Sequence, residues 1–416
     1  MPSRLVGRAR AWLARWRPIV PILVAEFVAL VGFGALLPVL PLYVVDQGVD
    51  TITLGVILAA WPAARLVFEP IFGWLADRTS RRGLMLAGMS MLAVTTLLPI
   101  FFHGPVELFI LRFLSGIAVS MYDPAARGTL VEETDDDERG EAFGLYSAAQ
   151  MGGLIFGPVV GAFGAVIFGG FEFAFVAAAT ACVVAAIYLA VAFHPRRAHP
   201  PVDGRAATAD GESIQAPLRE LWNRPLVAVC IVNFGLYFAV GVYEVIWALY
   251  LQDLGGSVEW IGVTYMLFAL PVIFIAPMAG RLVDRHGAGR FVLVGALVVA
   301  ATGLLYAVAW EPYLPGGIIV VEATADAFLT PAMFAVLAIG TPRGRAATAQ
   351  GVFGAVGTVA FIASSLLAGW LFSLDSRYPF LLFAVVCVVC TAVFVAMTRG
   401  VRLIGQAEAQ PQGVPT

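Results

Sequence analysis

The chain has 416 residues, 60% of them apolar and only 13% charged, with a formal net charge of −3. A soluble domain carries roughly 25% charged residues, so this composition, with a mean hydropathy of +0.88, excludes an ordinary soluble protein and points to lipid as the solvent. The small net charge itself says little; no nucleic-acid partner is expected, and the distribution of charge carries the information.

In chain order, residues 1–18 form a tail rich in Arg, with Trp12 and Trp16 one helical turn apart. Such a tail is expected to rest on the inner membrane surface. Five Arg precede the first apolar run, which has signal-anchor length and lacks a small-residue cleavage site, so no cleavable signal peptide is expected. Crossing a bilayer takes about 20 apolar residues. Twelve such runs follow, near 19–45, 53–75, 84–102, 106–130, 141–167, 172–193, 223–252, 259–283, 291–310, 315–338, 347–373 and 378–398. They are long, rich in Ala and Leu, and not alternating, which predicts helices. Six fall in 19–193 and six in 223–398; residues 194–222 read as a cytoplasmic linker with a short surface helix over 213–222, and 399–416 as a tail.

All 25 basic residues are Arg. With a cytoplasmic N-terminus, the N-tail, the even-numbered connections and the C-tail place Arg4, Arg8, Arg78, Arg81, Arg82, Arg139, Arg196, Arg285, Arg343 and Arg399 inside, whereas only Arg377 falls in an outer loop. This bias predicts a multi-pass protein of the cytoplasmic (inner) membrane with both termini cytoplasmic. Cys182, Cys230, Cys387 and Cys390 lie in spans without a second ligand pair, so no metal site is expected.

The two halves repeat one another at a constant offset of 207 residues (280 − 73). Gly73-Trp-Leu-Ala-Asp77-Arg78 returns as Gly280-Arg-Leu-Val-Asp284-Arg285, and Gly34, Tyr43, Gly48, Gly88, Pro124 and Gly144 return as Gly241, Tyr250, Gly255, Gly295, Pro331 and Gly351. A repeat this long is half a protein, and in membrane proteins built this way the substrate site lies where the halves meet.

Two stretches carry the most specific spacing. Gly73–Arg82, with Asp77, Arg78, Arg81 and Arg82, lies where the second span exits to the cytoplasm. Asp77 falls at the C-terminal end of its helix, where the dipole disfavours a carboxylate, so it should seek a partner elsewhere. In the fifth span, Gly144, Gly153, Gly157, Pro158 and Gly161 combine a small-residue face with a proline that permits a bend. These residues, with Gly34-Ala-Leu-Leu-Pro38-Val-Leu-Pro41 and Arg112-Phe-Leu-Ser115-Gly116, resemble the major facilitator superfamily over all twelve spans, and the fifth span resembles the antiporter motif of its drug–proton exchangers. Ala162 and Ser115 depart from the family pattern, and the second loop copy has Gly289 at the position of Arg82. The resemblance implies an all-α membrane fold of two pseudo-symmetric six-helix bundles. It also implies a cytoplasmic latch in which Asp77 caps the eleventh span, and alternating access powered by a proton gradient, with no cofactor.

Ionisable groups inside spans default to function. They are Glu26, Arg65, Glu69, Arg112, Asp123, Glu244, Glu322 and Asp326. Arg65 and Glu69, one turn apart, are expected to pair with each other. Glu322 and Asp326 are also one turn apart, and two like charges there cannot both ionise cheaply. The counterpart of Glu26 at the repeat offset is Asn233, so its carboxylate is not a shared structural need; it either serves a cationic substrate or the coupling proton, or pairs with Arg112. Tyr237, Tyr243 and Trp247 around Glu244 are candidates for a cavity wall that suits lipophilic cations. The combined reading is a proton-coupled exporter of small lipophilic or amphipathic molecules, with the monomer as the functional unit. A transporter of one metabolite, such as a sugar or natural product, is the alternative, and a non-transporting receptor is a third. No hydrolase or nucleotide-binding motif supports an enzyme.

Overall fold

The computed structural model describes residues 15–134, 138–194, 217–342 and 345–400, apart from the side chains of residues 139, 140, 218, 276, 277, 284, 346 and 347. Within these residues there is no strand, and the helices are α1 (Val20–Leu36), α2 (Leu40–Asp46), α3 (Thr51–Ala76), α4 (Arg81–Leu97), α5 (Pro105–Glu133), α6 (Arg139–Ile167), α7 (Glu172–Ala192), α8 (Arg224–Asp253), α9 (Val258–His286), α10 (Ala288–Ala307), α11 (Tyr313–Gly340), α12 (Ala346–Leu374) and α13 (Tyr378–Thr398). Eleven helices are long and apolar enough to cross a membrane, and α1 with α2, bent by 41°, makes a twelfth span. The break falls at Leu37–Val39, around Pro38, which has no N–H for the helical ladder. The first span is therefore two helices rather than the continuous one its apolar run suggests.

Contact clustering divides the chain into two compact units, one of Met1–Gly211 with Glu244–Met266 and one of Glu212–Tyr243 with Leu267–Thr416. The boundaries cut α8 after Tyr243 and α9 after Met266, so both helices contribute to both units.

The sequence repeat reappears as repeated local physics. Gly48 and Gly255, 207 positions apart, both take left-handed backbone, at φ 81° and 85°, where a side chain would be strained. Each ends a helix, and a cap for the next follows two residues later. Asp50 accepts hydrogen bonds from the backbone N–H of Ile52 and Thr53, both at 3.0 Å. Its counterpart Ser257 accepts one from Trp260 N–H at 3.3 Å. Tyr43 and Tyr250 are both buried. A Cβ on Gly88 would stand 2.7 Å from the Ala118 carbonyl, and one on Gly295 2.8 Å from Leu329 and 3.4 Å from the carbonyl of Ala325, the counterpart of Ala118. In each unit, the helix after the repeated loop thus packs on the next helix through a glycine.

The N-terminal end differs from expectation. Trp16 is buried among Ile19, Ile22, Leu189 and Phe193 instead of lying on a membrane surface. An indole has too much apolar area to leave exposed when a helix packing site is within reach. Arg15 beside it pairs with Glu138 at 2.7 Å and Glu141 at 3.2 Å. Trp12 lies outside the described residues, as do most of the linker and the C-tail beyond Gly400. At the end of the linker, Leu218–Trp222 forms a short 3-10 helix.

Candidate functional site

The first cluster is built where α6 meets α1 in the first unit. Helices approach most closely where neither carries a side chain, and here the glycine face supplies that. A Cβ on Gly153 would meet the Phe27 carbonyl at 2.7 Å, one on Gly157 would meet Gly34 Cα at 2.6 Å, and one on Gly161 would overlap the Ala35 carbonyl. Gly144, by contrast, faces open space. Following the same stripe back towards the start of α6 leads to Gln150 and Tyr146, three and seven residues before Gly153. Gln150 Nε2 donates to Glu26 Oε1 at 2.6 Å. Tyr146, and Tyr122 from α5, bring their phenols beside the same carboxyl. Both phenols are close enough to interact with it, but neither is aligned as a well-formed hydrogen bond, and Gln150 supplies the one well-formed bond to the carboxyl. Glu26 is fully buried, and the two tyrosines nearly so. A buried carboxyl with one well-formed bond and two loosely aligned phenols is under-satisfied for a purely structural site.

Arg112 does not pair with Glu26. Its Nη2 donates to Glu244 Oε1 at 2.7 Å, and both side chains are about nine-tenths buried. The pair lines a narrow cavity with Phe33, Leu37, Leu40 and Leu58. Tyr265, from α9, lies near Glu244 and directs its hydroxyl to the Leu37 carbonyl at 3.4 Å. The Trp61 ring lies 5.7 Å from the Arg112 guanidinium and 4.9 Å from that of Arg65.

Arg65 pairs with Glu69 at 3.0 Å, as the spacing predicts, and also with Asp123 of α5 at 2.8 Å. Arg127 completes the group, 3.4 Å from Asp123 and 3.7 Å from Glu69. Two arginines and two acids therefore balance, which the i, i+4 pair alone does not reveal.

In the second unit the acids are arranged differently. Glu322 is buried, and both its oxygens are used: Tyr243 donates to Oε1 at 2.6 Å and Tyr306 to Oε2 at 2.7 Å. Phe380 and Phe383 pack around the two tyrosines, with ring centroids 5.5 Å apart for Tyr243–Phe383 and for Tyr306–Phe380. Asp326 accepts from Thr330 at 3.4 Å. Of the other aromatic candidates, Tyr237 is half-exposed, while Trp247 is buried with its indole N–H on Thr264 at 2.9 Å.

At the Gly73–Arg82 loop, Asp77 is the residue that ends α3, and its carboxylate pairs with Arg81 at 3.0 Å. Arg81 also pairs with Glu132 at the end of α5. Arg82 donates to the Ala190 carbonyl at 2.5 Å, and Arg78 lies over the Trp74 ring at 4.1 Å. Ser80 caps α4 by accepting from Gly83 N–H at 3.1 Å. Gly73 faces Pro124, and Gly280 opens on free space. In the second copy Arg285 is exposed, and the Asp284 side chain lies outside the described ones.

A profile of the Major Facilitator Superfamily matches residues 22–249 and 229–413. The chain belongs to this superfamily. Its long apolar helices make it a multi-pass membrane protein. The chain is 27% identical over 376 residues to multidrug resistance protein 2 of Bacillus subtilis, covering 87% of this chain and 90% of that one. It is 25% identical over 229 residues to the quinolone resistance protein NorA of Staphylococcus aureus, covering 55% of this chain and 56% of that protein, so this match spans about half the relative's length. Among solved structures, it superposes with a TM-score of 0.76 at 14% identity on a bacterial homolog of the human lysosomal transporter Spinster, over 92% of this chain and 97% of that one. The nucleoside transporter NupG gives 0.74 at 14% identity, over 92% and 99%. These structures share the fold.

Proposed function

We propose that this major facilitator exports small lipophilic or amphipathic compounds, many of them cationic, in exchange for protons across the cytoplasmic membrane, with both termini inside. The observation that supports the reading is Glu26: a fully buried carboxyl with one well-formed hydrogen bond, from Gln150, and two phenols loosely aligned beside it. One carboxyl can balance either a proton or a cationic ligand, but not both at once. Protonation from outside releases the cation, and loss of that proton towards the cytoplasm restores the site, which is the logic of antiport. The glycine–proline face of α6 against α1 and the resistance-protein relatives support the same direction. The Gly73–Arg82 loop serves as the cytoplasmic gate in this scheme, with Asp77 as its switchable acid. The other span acids, Glu244, Glu322 and Asp326, are the remaining candidates for carrying the proton.

The test is reconstitution in liposomes with an imposed pH gradient and paired cationic and neutral lipophilic compounds. The wild-type protein should move both, and Glu26→Gln should lose cation movement at least about 10-fold, corresponding to about 1.4 kcal/mol of binding, while neutral transport persists. Unchanged cation transport, with unchanged pH dependence, in well-folded Glu26→Gln assigns coupling elsewhere.

A further inference from the structure

The seam between α1 and α6 that holds Glu26 can be followed to its end. Residue numbers rise together along the two helices: Gln150 bonds Glu26, Gly153 packs on Phe27 and Leu30, Gly157 on Gly34 and Gly161 on Ala35. Traced back the other way, the next tie is ionic. Arg15 Nε donates to Glu138 Oε1 at 2.7 Å, and its Nη2 lies 3.2 Å from Glu141 Oε2, at the start of α6. The Arg15 and Glu141 side chains are nearly half exposed, so water reaches this end of the seam.

Trp16 is the fully covered layer behind that clasp. It is 1% exposed, and the Arg15 guanidinium lies over its ring at 4.7 Å. It belongs to one continuous apolar cluster that runs through Ile19, Ile22 and Leu189 to Tyr122 and Tyr146, the two phenols beside Glu26. The indole thus stands at the solvent end of this cluster and the carboxyl at the other. Ala76 and Leu84, on either side of the Gly73–Arg82 loop, belong to the same cluster, so both lie at that end of the bundle. Two features make the indole's hold weak. Its N–H is buried with no partner among the described residues, which is under-satisfied for a permanent core residue. What covers it is a surface ion pair, which salt screens.

We propose that Trp16 is a removable stopper that shuts Glu26 off from water at the end of the bundle bearing the Gly73–Arg82 loop, with the Arg15–Glu138–Glu141 clasp as its catch. With the indole seated, Ile19, Ile22 and the ring itself fill the way to the carboxyl. With the clasp open and the indole withdrawn, water follows that face of α1 to Glu26. The stopper's role in coupling rests on the export reading, since it sets when Glu26 exchanges its proton at this end. The access it controls does not depend on that reading.

Access is measured on the purified full-length protein in detergent, as the rate at which a water-soluble carbodiimide with glycinamide amidates Glu26, read from its peptide by mass spectrometry. Because such a rate follows the population of the open form, Trp16→Ala should raise it about 10-fold or more. Trp16→Phe should raise it much less. Glu322, buried in the second unit with both oxygens bonded, should keep its wild-type rate throughout. Raising salt from about 0.1 M to about 1 M shortens the screening length from about 10 Å to about 3 Å. In the wild-type protein this should speed amidation of Glu26, and Arg15→Gln should abolish that salt dependence. An unchanged Glu26 rate in folded Trp16→Ala overturns the stopper, as does an equal rise at Glu322. Should Trp16→Ala fail to fold, the salt series decides: a wild-type Glu26 rate that does not rise with salt overturns the proposal. Undiminished cation transport by Glu26→Gln removes the export reading and leaves the stopper standing. An unchanged Glu26 rate with Glu26-dependent transport intact removes the stopper alone.

Discussion

Glu26 and Asn233 stand at the same place in the two repeats, and the difference between them separates scaffold from chemistry. Both are fully buried, and both reach the helix four spans later in their own unit. Asn233 Nδ2 donates to the carbonyl of Phe353, the counterpart of Tyr146, at 2.8 Å. Where the first repeat has Gln150, the second has Gly357, whose Cβ would stand 2.9 Å from Asn233 Nδ2. The helix contact behind them is also repeated: Gly34 meets Gly157, and Gly241 meets Ser364. So the approach of the helices is kept while the acid, its amide and its phenol are exchanged for an amide, a glycine and a phenyl ring. The second repeat carries its buried acid elsewhere, at Glu322, and satisfies it fully. The lesson is that duplication preserved backbone proximity, whereas the ionisable groups were distributed unequally over it.

The comparison can be broken most forcefully at the helix contact. Gly157→Leu should abolish transport, because overpacking at backbone distance costs about 1–3 kcal/mol or more and separates α6 from α1. Gly157→Ser, which copies the second repeat, should retain part of it. Transport assays on inserted, monodisperse protein check both, and full activity in Gly157→Leu removes the tight contact from the mechanism.

A pair of tyrosine substitutions sharpens the contrast between the two acids. Tyr306→Phe strips a hydrogen bond from Glu322 and should lower stability by about 1.5–3 kcal/mol, the range for bonds to charged groups. Tyr146→Phe removes one of two loosely aligned phenols beside Glu26, which keeps its well-formed bond to Gln150, so the stability loss should be smaller, while cation affinity shifts. Thermal unfolding in detergent separates the two, and equal losses would erase the distinction between a carboxyl bonded well at both oxygens and one bonded well at a single oxygen.

The smallest effect is expected at the caps. Asp50→Ala and Ser257→Ala should each cost about 1 kcal/mol. Only the first should depend on pH. The hydroxyl and backbone N–H of Thr53, with the N–H of Ile52, hold the Asp50 carboxyl below the usual carboxylate range. Its stabilisation is therefore fully present above the unfolded value of about 3.9 and is lost as pH falls through the lower folded value. Comparing unfolding of both variants at neutral and acid pH reads this difference directly.

The repeat, the spans and the two signature stretches were legible because they depend on periodicity, composition and small residues at fixed spacing. Glu26 stood out for a similar reason, being an acid where the other half has Asn233. Its partners were less visible, yet a signal for them existed. Gln150 and Tyr146 lie on the stripe that continues through Gly153, Gly157 and Gly161, while Glu26 lies two turns before Gly34 on the facing helix; sliding these stripes together brings Glu26 to Gln150. Arg112's choice of Glu244 over Glu26, and the joining of Arg127 to the Arg65 cluster, depend on which helices touch, and no spacing within one helix states that. The two phenols on Glu322 come from α8 and α10, 63 residues apart (306 − 243), and are equally silent in sequence. Trp16 was misplaced because a charged neighbourhood in the sequence concealed an apolar niche formed by α1 and α7.

Contact at backbone distance has a mechanical consequence. Between Gly34 and Gly157 there is no side chain to change rotamer, so a displacement of one helix cannot be taken up locally and must be passed to the other. The α1–α6 pair is in this sense a stiff beam. Its compliance is concentrated at two points where the helical ladder is interrupted: the 41° break next to Pro38 and the missing N–H of Pro158. A push originating at Glu26, on the stiff stretch, would reach those points nearly undiminished. A proton or a cation arriving at one carboxyl could thereby tilt a whole span while moving few atoms itself.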